Sequence, residues 1–349
     1  MFLKKVLSVI LAGMMIMSMA ACGSESTAAG GTAASSQAAS TDSASSAVAG
    51  SAQASGTGTA KSNSQITIGV ILKTLSSEYW NRVANGVKKA QTELGVNVKL
   101  QGATSETAYS EQSNMIETML SSGQVDAMCI APLQPDMVAT KLKNATVPVL
   151  FVDTDAPYDN KVSFIGTSNE DAAKMGGDYM AKLVGEGKKA VLIGGVQGDP
   201  TNEARMKGYR EALEAGGVTV LGVQYANAEA DQAVQVMENF MQKYKDIDAV
   251  LCNNDPMAMG AQRAAAQAGK VDKIKFMGFD AGSAACQSIV DGKETASVAQ
   301  DAEGMGYSVV INAVKAVKGE KVEKRIVIPT QMVDSKNAKE ALAKRKEAQ

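Results

Sequence analysis

Histidine is absent from all 349 residues. Its absence removes serine and cysteine triads, imidazole acid–base catalysis and most catalytic zinc sites from consideration. An excess of either charge is missing too. The 35 basic and 37 acidic residues nearly cancel, at a net charge of −2, so nothing electrostatic favours a nucleic-acid partner. Cysteine is sparse. Of the four cysteines, Cys22 lies in the N-terminal segment, and the other three, Cys129, Cys252 and Cys286, cannot pair fully among themselves. Cys129 and Cys252 sit in apolar runs, where a thiol behaves as a small hydrophobe. No group of residues has metal-ligand spacing, and no cofactor is expected. Trp80 is the only tryptophan, so the position of its indole carries information.

The N-terminus reads as a processing signal. Lys4 and Lys5 precede an apolar run, Val6 to Met19, too short for a typical membrane span. Met19-Ala20-Ala21-Cys22 follows and resembles a lipobox. The resemblance implies cleavage after residue 21 and diacylglycerol on the Cys22 sulfur. From Gly23 to about Ser64 the chain is Ala, Ser, Gly and Thr with almost no charge. Such a segment cannot bury enough surface to offset its ordering entropy, and it reads as a flexible tether over residues 22–64. A tether of this length suits a thick, Gram-positive cell wall.

From Ile66 onward, short apolar runs alternate with segments of 3.6-residue periodicity. This pattern indicates parallel sheets covered by helices on both faces. Four βα units are followed by a break near Ser163–Asn169 and then by a second series. The expected fold class is therefore α/β, with two doubly wound parallel-sheet domains. The charged end, Lys336 to Gln349, reads as a surface helix. In open parallel sheets, ligands bind beyond the carboxyl ends of the strands, so the residues at those ends are the candidates.

The first strand ends in Lys73-Thr74-Leu75-Ser76-Ser77-Glu78-Tyr79-Trp80. Aromatic faces suit the C–H faces of a sugar, although Trp80 reads equally as a core residue of the following helix. Asp153 and Thr154 end the fourth strand, and Asp153 is either a ligand acceptor or a cap. The glycines of Gly194-Gly195-Val196-Gln197-Gly198 lack the lysine and spacing of a phosphate loop. Arg205 is expected in the first turn of the next helix, where the dipole disfavours a cation, so a functional reason for it is sought. Asp255 before Pro256 suits a helix N-cap, which would leave Asn254 free to face the cleft. Asp280 and Gln300 end two further strands.

Taken together, Asn253-Asn254-Asp255-Pro256-Met257-Ala258-Met259-Gly260, Gly278-Phe279-Asp280, Val298-Ala299-Gln300 and Phe164-Ile165-Gly166-Thr167-Ser168-Asn169 resemble the type I periplasmic sugar-binding proteins, especially the ribose-binding group. The resemblance implies two lobes joined by a three-segment hinge near Thr167, Gln300 and Thr330. One lobe would hold 65–167 with 301–330, the other 168–300 with 331–349. It also implies that Asp153, Arg205, Asn254, Asp280 and Gln300 hydrogen-bond a sugar that Tyr79 and Trp80 sandwich. Lys73, Ser77 and Thr154 stand where ribose binders carry other residues, and Ala228 replaces an aromatic. These three residues join the candidate ligand contacts, and they open the choice of ligand to another pentose, a hexose, a polyol or a furanose-like signal. The implied partners are the small-molecule ligand, an ABC permease and the membrane through the lipid anchor, with the chain a monomer.

Three other readings compete. A transcriptional repressor of this fold would need a DNA-binding segment where the signal and tether stand. An enzyme could use only carboxylates, such as Asp153 and Asp280 as a glycosidase-like pair. A receptor module signalling to a kinase has the same sequence features as a transport protein. With no histidine to titrate, binding is expected to change little between pH 6 and 8. If Cys22 is lipidated, cells fed a labelled fatty acid should incorporate label into this protein, and Cys22→Ser should abolish the label and release the protein from the membrane fraction.

Overall fold

The computed structural model describes residues 61–347. The signal segment, Cys22 and the tether as far as residue 60 lie outside them. Two six-stranded sheets, each with helices on both faces, make two lobes. The chain begins with β1 (Thr67–Thr74), α1 (Glu78–Leu94), β2 (Asn97–Ala103), α2 (Tyr109–Ser121), β3 (Ala127–Ile130), α3 (Pro135–Lys141), β4 (Val149–Val152) and β5 (Ser163–Gly166). It continues with α4 (Asn169–Val184), β6 (Lys189–Gly194), α5 (Pro200–Ala215), β7 (Thr219–Tyr225), α6 (Ala230–Lys243), β8 (Ala249–Cys252), α7 (Asp255–Gln267), β9 (Lys275–Asp280), α8 (Ser283–Val290) and β10 (Ala296–Gln300). Last come α9 (Ala302–Val317), β11 (Arg325–Val327), β12 (Thr330–Asp334) and α10 (Ala338–Glu347).

The first sheet has the order β11-β5-β4-β3-β1-β2 and is parallel throughout. The second has the order β12-β10-β9-β8-β6-β7, with only the β10–β12 pair antiparallel. The central strands are buried along nearly their whole length, as a sheet covered on both faces requires. In both sheets the order reverses beside the first strand of the lobe, β1 or β6. This reversal opens the crevice at the carboxyl ends.

The chain passes between lobes after Gly166, after Gln300 and between Val327 and Thr330. Thr330 pairs with Gln300 in the second sheet, so it belongs to the second lobe and not to the first. The tether also ends earlier than the composition indicates. The Asn63 amide donates to the Leu94 carbonyl at 2.6 Å, and Lys61 pairs with Asp126 at 2.5 Å, so Lys61–Ser64 are part of the first lobe. Helix α9 has no counterpart in the periodic reading. Its Val309-Val310-Ile311 run carries strand propensity, and packing against α1 overrides it. Helix α10 is not wholly a surface helix: Ala338, Ala341 and Leu342 are buried in one cluster with Cys286 and Ile289 of α8.

Glycine sets how closely α1 and α9 approach. A Cβ at Gly86 would lie 1.9 Å from the Glu303 carbonyl oxygen, and one at Gly306 would lie 1.9 Å from the Val83 carbonyl oxygen. In an open helix, Gly→Ala gains about 1 kcal/mol. Here the added methyl forces the helices apart, and Gly86→Ala should instead destabilise by about 2 kcal/mol. A lower midpoint in urea unfolding is the expected result.

Candidate functional site

A cavity of about 320 Å³ lies between the carboxyl ends of the two sheets. Lys73, Ser77, Tyr79, Trp80 and Asp153 line it from the first lobe. Arg205, Asn254 and Asp280 line it from the second, with Gln300 at the crossing. Thr154 is the one candidate outside the lining. It is fully buried, and its hydroxyl donates to Asp153 Oδ1 at 2.8 Å. Its role is to hold the aspartate.

Both candidate aspartates sit on backbone that L-residues seldom adopt, with φ of 65° at Asp153 and 105° at Asp280. Each such residue costs about 1–3 kcal/mol and persists only where its surroundings enforce it. The reversed backbone at the strand end directs the carboxylates. Tyr79 Oη donates to Asp153 Oδ2 at 2.6 Å. Gln300 Nε2 donates to Asp280 Oδ1 at 2.7 Å, while its Oε1 accepts from Thr167 Oγ1 at 2.6 Å. One amide thus joins two interlobe crossings to a cleft carboxylate.

Arg205 is the sixth residue of α5, which starts at Pro200. It is therefore past the first turn, and the dipole argument for it lapses. Its guanidinium carbon lies over the Phe279 ring, 3.7 Å from the centroid, and the group donates to Asn169 Oδ1 and the Asn253 carbonyl, both at 2.8 Å. Asn254, not Asp255, caps α7: its Oδ1 accepts from the Met257 N–H and its Nδ2 donates to the Ala228 carbonyl. The buried Asp255 carboxylate instead accepts from Ser297 Oγ and the Gly282 N–H. Ser77 is likewise a cap, accepting from the Trp80 N–H. Tyr79 and Trp80 do not form two parallel walls. Consecutive residues in a helical turn diverge by about 100°, and these rings meet edge-on, 5.1 Å apart and at 83°. Trp80 is both core and cleft residue, only 2% exposed yet lining the cavity.

Lys73 makes the main charge contact across the lobes. Its ammonium lies 2.5 Å from Asp199, the N-cap of α5, and 4.0 Å from Glu106. Burial pulls its pKa down, but Asp199, Glu106 and Asp153 outweigh that and hold it above the ordinary lysine value. Burial likewise opposes ionisation of Asp199, yet Lys73 and the hydrogen bonds at the cap keep it below the usual carboxylate range. Two further contacts join the lobes. Glu78 accepts from the Ser283 N–H and Oγ, and Arg82 donates to the Gln300 carbonyl.

Arg82, Glu106 and Asn253 line the cleft without having been sequence candidates, and Asp199 stands behind Lys73. Glu106 follows the end of β2 and accepts from Trp80 Nε1 at 2.8 Å. The same strand-end rule applied to β2 would have found it. Among the described residues, the buried Arg82 Nη1 and Asn253 Oδ1 have no hydrogen-bond partner.

The periplasmic binding protein domain model matches residues 68–321. The ribose import binding protein of Salmonella typhimurium is 32% identical, over 80% of this chain and 94% of its own length. A carbohydrate transporter solute-binding protein from Agrobacterium radiobacter, solved with D-arabinose, superposes with a TM-score of 0.76 at 27% identity, over 81% of this chain and 98% of its own. An ABC transporter solute-binding protein from Bacillus halodurans, solved with myo-inositol, superposes at 0.75 and 26% identity, over 82% and 100%. The chain belongs to the periplasmic binding protein family, in its type I fold with two parallel-sheet domains.

The buried carboxyls make folding stability depend on pH. Burial pushes Asp255 up to about 7, against the hydrogen bonds from Ser297 and Gly282. Burial raises Asp280 well above the ordinary range, opposed by Arg205 and reinforced by Asp255. Glu294 is raised by burial and by Asp255. The unfolded chain releases these protons near pH 4, and the folded chain releases that of Asp255 only near 7. The folded state holds more protons in that window, so stability should fall as pH rises through it. Thermal midpoints measured from pH 5 to pH 7.5 should decline, and Asp255→Asn should flatten part of the slope.

Proposed function

We propose that the protein captures a neutral monosaccharide or cyclic polyol between its lobes for import by an ABC permease. The observation that carries this reading is the polar lining: carboxylates, amides and a guanidinium at the strand ends, beside Tyr79 and Trp80. A sugar hydroxyl donates and accepts at once. Asp153 would accept, Arg205 would donate, and Asn254, Gln300 and the proton-holding carboxyl of Asp280 would do both. Arg82 Nη1 and Asn253 Oδ1, unpartnered at the cleft wall, are added to the ligand contacts. The ring would pack against Trp80 and Tyr79 from one side. Micromolar affinity needs about −8 kcal/mol. Charge-assisted hydrogen bonds at about 1.5–3 kcal/mol each, four or five in number, supply that and offset ordering of the lobes.

Lys73 and Arg205 already face protein acceptors, which leaves a sugar acid or phosphate little free positive charge and supports a neutral ligand. The related proteins with D-arabinose and myo-inositol bound support a ring of hydroxyls as the common denominator. The protein acts as a monomer without catalysis. It is held on the outer face of a Gram-positive membrane by lipid on Cys22, with the segment after it as tether.

The test is a thermal-shift screen of protein unfolded and refolded to strip bound ligand. The panel is D-ribose, D-arabinose, D-allose, D-fucose and myo-inositol. A ligand at 100 times its dissociation constant stabilises by about 2.7 kcal/mol, a shift of several degrees. One compound should give that shift, and Asp280→Ala should weaken its binding at least about tenfold. No shift with any of them would refute the carbohydrate reading.

A further inference from the structure

We infer that Arg345, on the C-terminal helix, is a positioning residue for Asp280, and that α10 is thereby part of the ligand-binding apparatus. This rests on the reading of Asp280 as a ligand contact. The turn after β9 is strained at two successive residues, with φ of 105° at Asp280 and 48° at Ala281. Neither residue is a glycine, so the neighbours of the turn must hold this conformation.

Those neighbours are few. The Ala281 N–H donates to Ser297 Oγ at 3.0 Å, and the Gly282 N–H donates to Asp255 Oδ2 at 2.7 Å. The Ala281 carbonyl accepts from Arg345 Nε at 3.1 Å and from the Cys286 thiol at 3.3 Å. A thiol is a weak donor, so the guanidinium is the strong partner of that carbonyl. Arg345 is itself placed by Ala338, Ala341 and Leu342, which pack with Cys286 and Ile289 of α8. It lies within electrostatic reach of Arg82, which opposes its charge, and of Asp301 and Glu78, which favour it. The same turn leads into Ser283, which Glu78 contacts from the other lobe. Arg345 therefore sits behind the one segment that delivers Asp280 and meets the opposite lobe. It does not line the cavity.

The test compares full-length wild type, Arg345→Ala and Arg345→Lys by amide hydrogen exchange without ligand, and by titration with the panel sugar that binds best. Arg345→Ala should speed exchange at residues 281–283 while β6 and β8 stay protected, and should raise the dissociation constant about five- to tenfold. Arg345→Lys, which keeps a donor, should fall between the two. In an Asp280→Ala background, measured at millimolar sugar, Arg345→Ala should cost almost nothing more, because it acts through Asp280. Unchanged exchange at 281–283 overturns the proposal, and so does an equal loss of affinity with and without Asp280. If no panel sugar binds the wild type, the carbohydrate reading fails, and the exchange measurement still decides whether Arg345 holds the turn.

Discussion

A carboxylate taken out of water must find a partner or keep its proton. Much of the cleft follows from that constraint. Asp199 meets Lys73 from the other lobe. Asp153 takes the hydroxyls of Tyr79 and Thr154. Asp280 takes the Gln300 amide and keeps a raised pKa, and Asp255 takes Ser297 and the Gly282 N–H. Each solution recruits a residue from another element. The acids that line the cleft therefore also fix the register of the strand ends around it.

The same constraint couples binding to geometry. Gln300 serves a crossing through Thr167 and a cleft wall through Asp280. A ligand that competes for its amide acts on the joint between the lobes as well as on the wall. Lys73, read from the sequence as a ligand donor, is largely satisfied by Asp199. Its ammonium thereby joins the lobes beside the cavity.

The sheets were legible because buried parallel strands read as uninterrupted apolar runs, and the strand-end rule then pointed at Lys73, Asp153, Asp280 and Gln300. Local capping was less legible. Asn254 and Asp255 are both good N-cap residues, and only the partners of Asp255 on β10 and after β9 decide that Asn254 takes the cap. Glu106 and Arg82 gain their meaning from Trp80 and Gln300, which are neighbours in space and not in sequence. Helix α9 was hidden by its β-branched core face, and the buried side of α10 by its charged composition.

The late return of the chain to the first lobe has a consequence for how the molecule comes into being. That lobe starts at Lys61, yet α9 and β11 reach it only with residues 302–327. A growing chain of 300 residues has all of β1–β5 but no cover for the face that α9 packs against, and its β5 edge is still unpaired. The second lobe needs only β12 and α10 beyond that point. Synthesis from the N-terminus thus leaves the lobe made first among the last to be finished. A chain cut short anywhere before residue 327 would expose apolar surface from its oldest part.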